Sequence, residues 1–209
     1  MSALQASLAT IYADLTGGRV HQAGPQIEAL LHAYPQLPEV RRAQAAWHQM
    51  SGRQDDAIAA MQTAVALAPD DAGLRVALGQ VQASAGRVDD AIASFRMACD
   101  RQPASAEAWY LLGATLYANG RLAEALPPLE RAHALMPAQP MIAAMLGDTL
   151  FLQGRFEEAL AHFQLLAQAL PPDAKRTQRL VQSQSLIHIT EPTRQRQPTR
   201  MPSYALKKG

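Results

Sequence analysis

Lysine is nearly missing from this 209-residue chain: it holds three, Lys175, Lys207 and Lys208. Asparagine occurs once, at Asn119, and cysteine once, at Cys99. A lone cysteine excludes an internal disulfide and points to a reducing compartment, so a cytoplasmic location is expected. Aromatic residues are only 5% of the chain, too few for a β-rich core, whereas the 48% apolar content, mostly Ala and Leu, suits closely packed helices. A formal charge of +1 gives no general attraction to nucleic acid or to an anionic membrane. No run approaches the roughly 18 apolar residues of a membrane helix. The opening MSALQASLATIYADL has no basic region and Asp14 interrupts its apolar run, so no signal peptide is expected. A body rich in Ala and Arg and poor in Lys suggests GC-rich coding and a bacterial source.

What is present is repetition. Gly-Arg occurs at Gly18-Arg19, Gly52-Arg53, Gly86-Arg87, Gly120-Arg121 and Gly154-Arg155, always 34 residues apart. Five residues after each Gly stands an alanine: Ala23, Ala57, Ala91, Ala125 and Ala159. Nine after it stands a large apolar residue (Ile27, Met61, Phe95, Leu129, Phe163), and seventeen after it a proline (Pro35, Pro69, Pro103, Pro137, Pro171). The stretch Gly120–Pro137 is the clearest copy. Chance does not hold four columns in register over five copies, and such a period is the signature of a repeat architecture.

Each unit reads as two apolar-periodic helices, broken by Gly-Arg and closed by Pro. Gly tolerates the left-handed conformation that ends a helix, and Pro cannot continue one. The pairs Asp55-Asp56, Asp89-Asp90 and Glu157-Glu158 fall in the first turn of the second helix, where negative charge is favoured. Small residues at Gly79, Gly113 and Gly147 and at the alanine column let paired helices approach, and Phe95, Leu129 and Phe163 fill the gap beyond. Pro25 and Pro127 share one repeat position, with Pro128 following. Early in the second helix the missing N–H costs less than the roughly 3 kcal/mol of a mid-helix proline, so a slight kink is expected.

The period and columns resemble those of the tetratricopeptide repeat (TPR) family, W-x2-L-G-x2-Y…A-x3-F…P. The fourth unit carries Trp109, Leu112, Gly113, Leu116, Ala125, Leu129, Ala132 and Pro137; the fifth carries Leu146, Gly147, Leu150, Ala159, Phe163 and Pro171; the third carries Leu78, Gly79, Ala91, Phe95, Ala98 and Pro103. The first two depart in their first helices, with Thr10 and Gln44 at the Leu column and Asp14 and His48 at the Tyr column. The resemblance implies an all-α, right-handed superhelical solenoid of five repeats, 4–37, 38–71, 72–105, 106–139 and 140–173. It also implies stability that comes from stacking.

Beyond the fifth unit, 174–184 reads as the truncated first helix of a sixth repeat or a cap, with Leu180 and Val181 at its Leu and Gly columns. From Ser185 the composition changes, and 185–209 reads as a disordered, non-native tail. Ser185-Leu-Ile-His-Ile189 is what TCTCTTATACACATC encodes, a string resembling the transposase mosaic end of sequencing adapters. Glu191-Pro192-Thr193-Arg194 matches the adapter's continuation, with Thr190 departing by one base. Without 185–209, which holds five basic residues and one acidic, the formal charge falls from +1 to −3. The natural gene is then expected to continue past this point.

The residues offer little chemistry. None of the six histidines forms an HExxH or another i, i+4 metal pair, Cys99 reads as a buried inert thiol, and no Gly-rich phosphate loop exists. The acidic pairs recur at one repeat position, which helix-start electrostatics explains better than acid–base catalysis. Trp47 and Trp109 read as packing residues. No catalytic residue, cofactor or metal is expected, and neither nucleic acid nor membrane as partner.

The resemblance implies instead that the first helices line a concave groove. Its candidate facing residues are Tyr12, Glu39, Arg42, Gln49, Gln80, Glu107, Tyr110, Tyr117, Met145, Asp148 and Phe151. The clamp by which chaperone-binding members hold carboxylates needs Lys and Asn there, and sugar-transferase relatives carry an asparagine ladder; this body has no Asn except Asn119 and no Lys before Lys175. Tyr110, Tyr117 and Phe151 either form an aromatic patch for a peptide or helix, or pack on neighbouring helices or a downstream domain. Two functions follow. One is a non-catalytic scaffold holding a protein or peptide in the groove. The other is the N-terminal repeat region of a truncated enzyme: a sulfotransferase, a glycosyltransferase or an iron/2-oxoglutarate oxygenase.

Overall fold

The computed structural model of the chain describes residues 3–169 and 179–187, and all the regular structure among them is helical. Each expected repeat is one helix pair: α1 (Ala3–Thr16) and α2 (Val20–Ala33), α3 (Pro38–Met50) and α4 (Gln54–Leu67), α5 (Ala72–Ser84) and α6 (Val88–Arg101), α7 (Ala106–Ala118) and α8 (Leu122–Leu135), α9 (Pro140–Leu152) and α10 (Phe156–Ala169). A further helical stretch, α11, runs over 179–187, three residues past the expected end of the sixth-unit helix. The adapter-like residues from 188 onward lie outside the described residues. The chain forms two compact units, Met1–Met136 and Pro137–Gly209. No described helix is long and apolar enough to cross a membrane.

The turn inside each repeat follows from Gly-Arg. All five glycines, Gly18, Gly52, Gly86, Gly120 and Gly154, have φ between +74° and +78°. In each, the glycine N–H bonds a carbonyl three residues back, and the arginine N–H bonds one five residues back; Gly120 donates to Tyr117 at 3.0 Å and Arg121 to Leu116 at 3.0 Å. This is the Schellman closure, which satisfies the last carbonyls of the first helix. First helices start on a different device. Asp71 and Ser105 accept from the N–H groups of Leu74 and Ala108, and Pro38 and Pro140 occupy the first helical position of α3 and α9.

The columns become contacts. The five column alanines are fully buried. Gly79 faces Phe95, Gly113 faces Leu129 and Gly147 faces Phe163; a Cβ at these glycines would lie 2.6, 2.6 and 2.8 Å from the facing side chain. The first repeats solve the same problem with Ile11 against Ile27 and Ala45 near Met61, in two separate clusters. Within the first unit each later helix pair packs on its own partner most extensively and on the next repeat through its second helix.

The prolines sit deeper than expected. Pro25 is the sixth residue of α2, and Pro127 and Pro128 are the sixth and seventh of α8. Only the first four N–H groups of a helix lack partners, so these prolines do delete bonds, those to the His21, Ala123 and Glu124 carbonyls. Both helices nevertheless run unbroken through them.

The two kinds of glycine are therefore constrained differently. Gly113→Ala is expected to cost about 1–3 kcal/mol by forcing the Leu129 side chain and backbone apart. Gly120→Ala meets nothing within 4 Å and is expected to cost only about 1–2 kcal/mol of left-handed backbone strain. Denaturant unfolding with Gly113→Ser as a third variant checks the difference: a steric origin makes Ser at least as costly as Ala.

Candidate functional site

The structure positions the expected groove residues on the first helices and brings some of them together. Tyr12 on α1 lies half-buried near Arg42 and Glu39 of α3. Burial pushes its hydroxyl above the usual range, Arg42 opposes that and Glu39 adds to it. Gln49 of α3 donates to the Ser84 hydroxyl of α5 at 3.1 Å. Arg42, Gln80 and Glu107 are exposed; Tyr110 and Tyr117 are half-buried, and burial raises the Tyr110 hydroxyl. Among the described residues the side-chain polar atoms of Tyr12, Arg42, Gln80 and Tyr110 make no internal hydrogen bond.

In the second unit Met145, Asp148 and Phe151 are half-buried on α9. Here α11 contributes a residue that the sequence reading missed. The Arg179 Nε lies 3.5 Å from an Asp148 carboxylate oxygen, and its guanidinium stacks 4.7 Å from the Phe151 ring centre. Phe151 also meets the edge of Phe156 at 5.4 Å. Its position in the sixth unit was the available signal, since it corresponds to Met145 one repeat earlier.

The opposite, second-helix face is occupied by charge pairs. Arg87 reaches back one repeat to Asp55 at 2.8 Å, and Arg121 to Asp89 at 3.0 Å. Arg121 also grips Glu124 at 2.8 Å, Arg96 of α6 meets Glu124 at 3.0 Å, and Arg101 pairs with Asp70. Bonds from Arg121 and Arg96 hold the Glu124 carboxyl below its usual range. The acidic residues thus serve the helix start and tie successive repeats, and solvent screening keeps each exposed pair weak. Between α6, α7 and α8 lies an open cavity of about 390 Å³, walled by Cys99, Trp109, Leu112 and Pro128 and rimmed by Arg96, Asp100 and Glu124. No sequence column announced it.

Burial, with Asp100 adding to it, pushes the Cys99 thiol up to about 12, so it stays protonated at neutral pH. Among the described residues no three His, Cys, Asp or Glu side chains are grouped to hold a metal. The Tyr column instead holds a graded polar series. Asp14 accepts from Arg19 at 2.8 Å and from Gln26 at 3.0 Å, bonds that hold its carboxyl below the usual range. Gln82 accepts from the Ser94 hydroxyl at 2.6 Å. Gln26 and Ser94 occupy one column; in the second repeat that column is Ala60, which offers no polar atom. His48 there is 7% exposed and its Nδ1 has no partner. In the fourth and fifth repeats the column turns apolar, with Leu116 and Leu150.

Comparison with known proteins agrees with the geometry. Two family models described as tetratricopeptide repeat match the chain, one over residues 8–72, 50–106 and 76–140 and the other over 116–183. Solved structures of the same fold include PilF of Pseudomonas aeruginosa, with a TM-score of 0.73 and 18% identity over 91% of this chain and 87% of that one. MamA gives a TM-score of 0.65 and 19% identity over 85% of this chain and 95% of that one. TTC0263, a thermophilic TPR protein of Thermus thermophilus, gives 0.58 and 23% over 88% and 100%. At such identities the likeness establishes a helical solenoid and nothing finer. The curated proteins contain no match.

His48 gives this arrangement a measurable signature. Burial, then the nearby Arg53, lowers its pKa against a smaller opposing effect of Asp56. The folded protein therefore keeps it neutral while the unfolded chain takes up a proton near pH 6.5. Stability is expected to be flat above about pH 7 and to fall as pH drops below about 6.5 toward the lowered folded value. His48→Leu, the residue type of the fourth and fifth repeats, is expected to flatten that slope between about pH 7 and 5. Denaturant midpoints measured across this window for both proteins check it; parallel slopes would contradict the assignment.

Proposed function

This chain belongs to the tetratricopeptide repeat family, and from that premise we propose that it is a non-catalytic scaffold. It holds a protein or peptide partner on its first-helix face. The observation that supports this is an asymmetry in the first unit. On the second-helix side and at the turns, arginines and carboxylates largely satisfy one another. On the first-helix side the side chains of Tyr12, Arg42, Gln80 and Tyr110 present donors and acceptors with no internal hydrogen-bond partner among the described residues, beside half-buried aromatic surface. An amphipathic aromatic next to an unpaired guanidinium is the composition of a binding hot spot. In the second unit Asp148 and Phe151 form the corresponding surface, with Arg179 laid across it. A single cysteine in the core suits a reducing compartment such as the cytoplasm.

Panning a random peptide library on the immobilised full chain tests the proposal. Selected peptides are expected to lose about tenfold or more in affinity on Tyr110→Ala and on Arg42→Ala. The melting temperature of both variants should stay near wild type, because neither side chain belongs to the core. Peptides that bind both variants as tightly as wild type would place the partner surface elsewhere.

A further inference from the structure

The cavity between α6, α7 and α8 lies where three repeat columns break together. The place of Cys99 is taken by Leu31 and Val65 in the two preceding repeats, that of Trp109 by Arg41 and Arg75, and that of Pro128 by Ala60 and Ser94. One repeat earlier, Arg75 folds onto the chain, donating to the Pro69 carbonyl at 2.8 and 3.3 Å and to the Met97 sulfur at 3.4 Å. Trp109 keeps only the equivalent of the first contact, from its indole N–H to the Pro103 carbonyl at 3.0 Å. Here Cys99, Trp109 and Pro128 line an open volume of about 390 Å³.

The charges around it do not cancel. Two carboxylates, Asp100 and Glu124, face one guanidinium, Arg96. Arg96 is bound to Glu124 at 3.0 Å, and Glu124 is further held by Arg121. Asp100 has no ion pair or hydrogen bond through its side chain among the described residues. An uncompensated negative charge thus stands beside a tryptophan wall. Elsewhere this chain fills such a combination itself. Arg53 lies 4.5 Å over the Trp47 ring, and Arg179 lies 4.7 Å over Phe151 with Asp148 at 3.5 Å. No cation of the chain covers Trp109 among the described residues.

We propose that this cavity binds an arginine side chain of a partner polypeptide. The methylene stem lies against Leu112 and Pro128, the guanidinium stacks on Trp109, and Asp100 receives its charge. Cation–π attraction and a carboxylate together favour a guanidinium over a neutral group of the same shape. The site uses none of the candidate groove residues.

The test titrates N-acetylarginine amide into the ¹⁵N-labelled full chain. It follows the two tryptophan indole N–H signals, assigned with Trp109→Phe. The Trp109 signal is expected to shift progressively in the millimolar range proper to a single side chain, with Trp47 unmoved. Asp100→Asn, an exposed change that leaves the fold intact, is expected to weaken the titration about fivefold or more. N-acetylcitrulline amide, the neutral isostere, is expected to leave the signal in place. A Trp109 signal that stays still up to about 50 mM arginine amide, well above the millimolar regime, overturns the proposal. So does an equal response to citrulline amide, or an Asp100→Asn titration indistinguishable from wild type.

Discussion

Everything in this fold depends on one backbone state, the left-handed glycine that ends each first helix. At φ near +74° the chain reverses within a single turn, and the next N–H closes back five residues onto the helix it has just left. That closure fixes the second helix antiparallel to the first and in register with it. The register then decides that Gly79 meets Phe95, Gly113 meets Leu129 and Gly147 meets Phe163. Without the turn, small and large columns would not oppose one another, and no single repeat could bury its apolar face.

The same turn places an arginine where the chain leaves the reversal. In the third and fourth repeats that arginine reaches an aspartate of the preceding repeat, Arg87 to Asp55 and Arg121 to Asp89. A 34-residue period therefore sets packing inside a repeat and charge pairing between repeats together. This pairing takes up most arginines of the second-helix face in the first unit, whereas the side chains of Tyr12, Arg42, Gln80 and Tyr110 on the other face keep their polar groups open. The difference between the faces follows from repeat geometry before any partner is considered.

The departures from the repeat are where the individual character of the protein lies. Asp14, His48 and Gln82 replace an apolar column residue, and each local outcome depends on what the facing column supplies: Gln26, nothing polar, and Ser94. Cys99, Trp109 and Pro128 are ordinary residues singly; at one junction they line a cavity. Pro127 and Pro128 remove two helix bonds from α8, yet the helix persists, because burial of Ala125, Leu129 and Ala132 outweighs the loss.

Period and column identity alone determined the all-α architecture, the five helix pairs, the left-handed turns and the buried alanine and large-residue columns. The reason is that capping and close approach are local and recur in every copy. The first-helix residues were nominated by the family resemblance; Tyr12 lies near Arg42, and Asp148 and Phe151 both meet Arg179. Which acidic residue serves which repeat, that Arg179 lies over Phe151, that the His48 Nδ1 has no hydrogen-bond partner, and that a cavity lies beside Trp109 were decided only by the tertiary structure. Each of these joins residues from different helices, through distances that side-chain size and neighbouring charges set together, and a column of letters carries no distances.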